Sequence, residues 1–309
     1  MKKIKILILG YSSFVKRRVL PALKNNKALH ISICSKSNKK NLKNKIFFNS
    51  YEKAIKEFSP DLVYVSLINS LHFKYAKKLL LAGYNTIVDK PITTRLDDTR
   101  QLLKIAKRKK ILLAEATIFN YHRVFKKIIK LSKGKKNIVH IQSNFNIPLV
   151  NSVKNLKLKK GDCEMDMSPY AASVLRIFNN QKIKSLSVKK TYFKNTKIVK
   201  DFTLMTSSKN LTYFGNFGLE REYTSQIIFF TKKKIIISPE RIFALPPNQN
   251  IDLTIKENNK IKKIRVKKDD CIKNFFRDII LSLKNKKFNI FYKNLISDAI
   301  FREKIYEQK

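Results

Sequence analysis

The first third of the chain alternates compact apolar runs with amphipathic stretches. Runs rich in Ile, Leu and Val at 4–9, 29–34, 61–66, 85–88 and 111–115 carry few charges, the pattern of strands covered on both faces. Between them the apolar spacing predicts helices over 14–25, 51–58, 71–82 and 95–108, with Gly83 as a C-cap and Pro60 as a stop. Such a βαβ series builds a doubly wound parallel sheet, here ending near residue 118. The pattern then changes. A helix at 121–132, a strand at 137–146 and a helix at about 165–178 lead into β-like stretches at 183–193, 199–206, 210–217, 224–231 and 234–237. Several of these alternate apolar and polar residues, as an antiparallel sheet with one wet face does. Pro246-Pro247-Asn248 reads as a loop, helices at about 270–284 and 292–307 close the chain, and no internal repeat is visible. The expected fold is α/β: an N-terminal Rossmann doubly wound parallel sheet over 1–118, then a C-terminal α+β domain with an open, mainly antiparallel sheet over 119–309. An open sheet face predicts a homodimer or homotetramer.

Composition narrows the class without naming a function. At 309 residues the chain can bury a core without a disulfide or metal staple. A hydrophobic share of 43% and a mean hydropathy of -0.30 belong to a soluble globular protein. No apolar run approaches the ~18 residues of a membrane span, so no membrane partner is expected. The opening Met1-Lys2-Lys3 mimics a leader, but the apolar stretch is short and basic residues follow Gly10, so it reads as a first strand. Cys34, Cys163 and Cys271 lie far apart with no Cys-x-x-Cys pair, which points to a reducing cytoplasm. With no carboxylate–histidine cluster either, no metal is expected. The net charge of +45 is spread over every predicted helix, with abundant Asn, and reads as compositional bias rather than a nucleic-acid stripe. No helix-turn-helix, zinc finger or RNA-binding aromatic signature accompanies it, so no specific nucleic acid is expected. Its positive field favours polyanionic ligands such as dinucleotides and nucleotide sugars.

Three segments carry candidate chemistry. In "ILILGYSSFVKRRVLPAL", residues 6–23, the places of a dinucleotide fingerprint's three glycines hold Gly10, Ser12 and Val15. Gly10, Tyr11, Ser12, Ser13 and Phe14 form the expected phosphate loop, with the Ser12 hydroxyl placed to donate to phosphate and a helix N-terminus behind it. An ordinary strand–turn–helix fits this motif alone equally well. The second strand ends in Cys34-Ser35-Lys36-Ser37, with no carboxylate for ribose hydroxyls; Ser35, Lys36 and Ser37 suit a 2′-phosphate and favour NADP over NAD. In "IVDKPITTRLDD", residues 87–98, Asp89-Lys90-Pro91 sits at the carboxyl edge of the sheet, before a helix capped by Thr93 or Thr94.

Here the sequence resembles the Gfo/Idh/MocA oxidoreductases, whose Glu-Lys-Pro hallmark is matched by Asp89-Lys90-Pro91. "LINSLHFKYAKKLLLAGYN" is similar to the family's Pro-Asn-x-x-His segment, with Asn69 and His72 in place and Ile68 for proline. "AEATIFNYHRVF" is similar to the segment opening the second domain, with Glu115 and His122. "GDCEMDMSPYAASVLRIF" resembles Gly-Gly-x-x-x-Asp-x-Gly-x-His/Tyr, giving Gly161, Asp166, Ser168 and Tyr170. Asp162 and Ser168 stand where the family has glycines. Residues 212–243 further resemble sugar-pathway members.

The resemblance implies a cytoplasmic, NADP-dependent oxidoreductase acting on a sugar, a nucleotide-linked ketosugar of polysaccharide biosynthesis. It implies pairing through the second domain's sheet as well. Asn69, His72, Asp89 and Lys90 fall on the cofactor side, and His122 and Asp166 on the substrate side. Tyr170 is the implied proton donor: an unperturbed phenol with a pKa of about 10 stays protonated at neutral pH. Lys90 would stabilise the phenolate left behind and polarise the carbonyl, while Asp166, at i and i+4 with Tyr170, orients substrate. His30 and His140 read as structural. Two other readings stay open: a catalytically silent NADP-binding or sugar-sensing member, and charge-driven nucleic-acid binding.

Overall fold

The protein was analysed as a computed structural model that describes residues 3–35, 47–148, 162–179 and 181–308. Strands β1 (Ile4–Leu9), β2 (Leu29–Cys34), β3 (Phe47–Phe48), β4 (Leu62–Val65), β5 (Asn85–Asp89) and β6 (Leu113–Ala116) pair in parallel in the order β3-β2-β1-β4-β5-β6. Ile6, Leu7, Ile8 and Leu9 are fully buried, which is why β1 is an unbroken apolar run. Leu9 lies opposite both Cys34 and Val65, and Val65 opposite Val88, so four strands end at one edge. The order reverses between β1 and β4, the place where open parallel sheets bind ligands.

Helices α1 (Leu20–Leu23), α2 (Tyr51–Phe58), α3 (Asn69–Leu81) and α4 (Leu96–Lys109) connect these strands. A wider π-helical turn, Val15–Val19, leads into α1, with the Leu20 N–H on the Val15 carbonyl. The Ser50 side chain caps α2 by accepting the Lys53 N–H. The expected capping of α4 by Thr93 or Thr94 is corrected: the cap residue is Arg95, without a side-chain bond. Thr93 is buried instead, its Oγ1 2.7 Å from the Arg95 carbonyl oxygen and 2.6 Å from Thr99 Oγ1. A buried hydroxyl needs such partners more than an exposed helix end needs a cap.

The later elements are α5 (Arg123–Leu131), β7 (Ile138–Ile147), α6 (Cys163–Phe178), β8 (Ser185–Tyr192), β9 (Val199–Ser207), β10 (Thr212–Leu219), β11 (Thr224–Thr231), β12 (Ile235–Ile237), β13 (Ile251–Glu257), β14 (Lys260–Val266), α7 (Cys271–Asn285) and α8 (Asn289–Glu307). Their strands form an eight-stranded sheet, β14-β13-β12-β11-β7-β10-β9-β8, antiparallel at every step except β7 with β10. No strand was expected over β13 and β14; Asn258 and Asn259, both at positive φ, turn that hairpin. One sheet face buries Phe145, Phe202, Tyr213, Phe217 and Phe229 in the same core as Met167, Ala171, Val174 and Phe178 of α6. The other face carries half-buried Gln142, Asn144, Phe214, Asn216 and Ile228, with Met205 61% exposed.

The chain divides into two compact units, Met1–Ala116 with Phe275–Ile296, and Thr117–Asn274 with Ser297–Lys309. Within the first, Phe276 of α7 meets Tyr64 edge-on at a centroid separation of 6.0 Å, and the Tyr292 hydroxyl of α8 donates to the Ile111 carbonyl. All three cysteines are buried and none is in a disulfide. Among the described residues no helix is long and apolar enough to cross a membrane, and no cluster of His, Cys, Asp and Glu could hold a metal ion.

Candidate active site

The first loop is shaped by a close approach of two strand ends. Gly10 turns at a φ of 102°, and a Cβ there would lie 2.0 Å from the Ser66 carbonyl oxygen. No other residue fits this turn. Its N–H bonds the Cys34 carbonyl at 2.8 Å, as the Ser66 N–H bonds that of Leu9 at 2.8 Å. Ser12, in the second glycine's place, accepts the Val15 N–H on its Oγ at 3.1 Å and lies 2.9 Å from Ser66 Oγ. Both contacts are internal: this side chain caps the helix start and bridges β1 to β4. Val15, in the third glycine's place, is fully buried, and the π-helical turn begins there.

What remains of the loop fits a dinucleotide. Ser13 and Phe14 are exposed, and the first N–H groups of a helix have no intrahelical acceptor. Lys16, Arg17 and Arg18 follow directly, and Lys16 Nζ sits 4.4 Å above the half-buried Tyr11 ring. Cations at a helix N-terminus oppose the helix dipole, so an anion relieves both. Ser35 is buried with its N–H 3.0 Å from the Phe48 carbonyl oxygen. Lys36, Ser37 and Gly161 lie outside the described residues.

The Lys90 loop is tied on both sides of the lysine. Asp89 ends β5, and its carboxylate accepts the Tyr64 hydroxyl and, at 2.5 Å, the Ser66 hydroxyl. Burial pushes this carboxyl above its ordinary range, against the pull of those two donors and of the charges of His72 and Lys90. After the cis Lys90–Pro91 bond, the Pro91 carbonyl oxygen lies 2.7 Å from His72 Nδ1, and the Ile92 N–H donates to Glu115 Oε2 at 2.7 Å. His72 is fully buried, with Nε2 3.0 Å from the Leu67 carbonyl oxygen. Both its nitrogens therefore face backbone carbonyls, and it holds the loop rather than reaching out of it. Asn69 begins α3, half-buried at the same edge. Tyr64 and Ser66 escaped the sequence reading; the signal was polar atoms on an otherwise apolar strand, Val63-Tyr64-Val65-Ser66.

In the second unit, α6 presents exposed Asp166 and half-buried Tyr170 one turn apart. The two departures from the family motif both have structural uses. Asp162 caps α6, accepting the Met165 N–H at 2.9 Å, and buried Ser168 lies 2.9 Å from the Tyr306 hydroxyl. The Tyr170 ring is boxed by Phe119, Phe145 and Phe243 at centroid separations of 5.4, 5.0 and 5.2 Å. Such edge-on and tilted contacts fix a ring's plane.

His122 caps α5, its Nδ1 accepting the Val124 N–H at 3.1 Å. Its proton is then on Nε2, which is buried without a partner, as is Asn120 Oδ1. Burial lowers the His122 pKa. Asn120 was absent from the expected site; as a single amide it gave no sequence signal. His140 Nδ1 lies 2.7 Å from Thr212 Oγ1, and His30 packs against Phe58.

A six-stranded parallel sheet in this order, with a glycine turn at the switch point, defines the first unit as a dinucleotide-binding Rossmann fold. Residues 4–117 match the family model described as "Oxidoreductase family, NAD-binding Rossmann fold". It is 26% identical over 135 residues to D-xylose 1-dehydrogenase (NADP(+)) 2 of Haloferax volcanii, covering 42% of each chain. It is 31% identical over 127 residues to the dTDP-3,4-didehydro-2,6-dideoxy-alpha-D-glucose 3-reductase of Saccharopolyspora spinosa, covering 39% of this chain and 38% of the relative. These matches thus span about two fifths of the relatives' own length. Over the whole chain the fold is similar to that of KijD10, a 3-ketoreductase from Actinomadura kijaniata solved with NADP and TDP-benzene, with a TM-score of 0.89 at 18% identity, covering 99% of this chain and 97% of that one.

Proposed function

We propose that the protein is an NADP-dependent oxidoreductase that moves a hydride between nicotinamide and a carbonyl or hydroxyl carbon of a sugar, a nucleotide-linked ketosugar of polysaccharide biosynthesis. The observation that carries this reading is the fixed Lys90 loop at the carboxyl edge of β5, beside a glycine turn shaped for a dinucleotide. Relatives named as a sugar dehydrogenase and a dTDP-ketosugar reductase support the substrate class. Gly10, Tyr11, Ser13 and Phe14, with the backbone of Ser12, would hold the diphosphate. Ser35, Lys36 and Ser37 would meet the 2′-phosphate, and Asn69 and Asp89 would lie on the nicotinamide side.

When bound, the cofactor supplies the hydride. Tyr170 donates the proton that the carbonyl oxygen needs as it becomes a hydroxyl. Lys90, as an ammonium, draws charge toward that oxygen. Asp166 and His122 orient sugar hydroxyls. Replacement of Lys90 by Met, or of Tyr170 by Phe, is expected to cut NADPH consumption on a ketosugar panel by at least about a hundredfold. Cofactor fluorescence titration should stay within a few-fold of wild type. Unchanged turnover in either variant overturns the assignment. Wild-type binding without turnover on every ketosugar favours the sensing reading instead.

The outer face of the second sheet, with Met205, Phe214 and Ile228, supports a homodimer or homotetramer through that sheet. Sedimentation as a monomer at micromolar concentration would sink that part. Three buried cysteines outside any disulfide support a cytoplasmic location.

A further inference from the structure

Ser12, Ser66 and Asp89 follow or end β1, β4 and β5, and they join into one chain of hydrogen bonds across the switch point. Asp89 accepts from Tyr64 and, at 2.5 Å, from Ser66; Ser66 Oγ lies 2.9 Å from Ser12 Oγ; and Ser12 accepts the Val15 N–H at 3.1 Å. The direction of every proton follows. Ser66 donates its proton to Asp89 and so must accept from Ser12, whose own proton is then spent. The Ser12 hydroxyl thus has no proton left for a ligand. Its partner, 54 residues away, connects it to the strand end that carries Lys90.

The same junction is closed from the backbone side, where Gly10 abuts the Ser66 carbonyl. Displacement of the phosphate loop therefore meets Ser66 twice, through its carbonyl and through its hydroxyl. Ser66 is itself buried, so a broken link would leave an unpaired hydroxyl in the protein interior. Polar side chains linked in this way move together more readily than singly.

We propose that Ser66 is a positioning residue that locks the phosphate loop to the Lys90 loop through the Ser12–Ser66–Asp89 chain, so that dinucleotide binding and the placement of Lys90 are energetically coupled. This rests on the reading that the first loop binds NADP and that Lys90 acts on the carbonyl.

The test is a double-mutant cycle on the full chain, read by NADPH fluorescence titration. The effect of Ser12→Ala on NADPH affinity should differ by about threefold or more between the wild-type and Asp89→Asn backgrounds. That difference should vanish when Ser66→Ala is added and survive with Ser66→Thr, which keeps the hydroxyl. Ser66→Ala should also lower kcat with the sugar KM unchanged, and Ser66→Thr should restore it. Thermal melts of each variant report whether it folds. Additive effects of Ser12→Ala and Asp89→Asn with Ser66 present overturn the proposal. If wild-type protein binds no NADPH, the functional reading fails, and the same cycle read in melting temperature still decides whether Ser66 couples the two loops.

Discussion

The two units treat buried polar groups in opposite ways. In the first, the hydroxyls and carboxylate of Ser12, Ser66, Tyr64 and Asp89 close into one chain, and both nitrogens of His72 meet carbonyl oxygens. In the second, Asn120 Oδ1, His122 Nε2, Asn146 Oδ1 and Asn216 Oδ1 are buried without a partner. Among the described residues, no such side-chain atom falls in the first unit. An unpaired buried polar atom costs about 1–3 kcal/mol, so a fold keeps it where something else repays it. The difference teaches a division of labour. The first unit is a finished frame whose polar side chains bind each other and leave backbone to meet a ligand. The second holds Tyr170 by phenylalanine rings and leaves buried polar atoms of Asn120 and His122 unpaired in the segment that follows Phe119.

The largest expected effect breaks the closed side. In Gly10→Ala the new Cβ would fall 2.0 Å from a backbone oxygen, at a φ of 102° that side chains rarely adopt. Neither atom belongs to a flexible side chain, so β1 or β4 must shift and the Ser12–Ser66 bond with them. A loss of about 3 kcal/mol is expected in denaturant unfolding, with NADPH affinity lost as well. Gly134 provides the control, because a Cβ there has nothing within 4 Å although its φ is 105°. Gly134→Ala should thus show backbone strain without collision and leave cofactor affinity unchanged. Equal losses in the two variants would mean that the contact with Ser66 contributes nothing.

Sequence pattern reached these two regions unequally. Apart from the short β3, which was missed, the parallel strands were legible to within one or two residues because burial on both faces leaves no polar position to confuse the run, as in β1 and β2. The β13–β14 hairpin was missed although Ile251, Leu253 and Ile255 alternate with polar residues and Asn258-Asn259 is a turn signal. Lysines at 260, 262 and 263 on its exposed edge strand masked the second half. At the site, the Lys90 and Tyr170 segments were legible as motifs. The partners that hold them were not: Ser66 lies 54 residues from Ser12, and Tyr306 lies 138 from Ser168. Asp162 was read only as a departure from the glycine of the motif, although an Asp before a helix is itself a capping signal.

The smallest expected effect sharpens the open side and concerns pH. His122 Nδ1 is committed to capping α5, and burial disfavours a second proton, so its folded pKa lies below the unfolded value of about 6.5. Nearby Asp269 and Asp270 favour the charged form and Arg123 opposes it, without reversing the shift. The unfolded chain therefore binds more protons between the two pKa values, and stability must fall as pH falls through that window. Above about 6.5 both states are neutral and His122 adds no slope. His122→Asn separates capping from titration, because asparagine is a strong cap whose Oδ1 can still accept the Val124 N–H. The variant should match wild type in urea unfolding at pH 8 and lose less stability than wild type on acidification from about 6.5 to 5. A parallel decline in the two proteins would show that the histidine finds a proton acceptor on Nε2, and that this part of the second unit is as closed as the first.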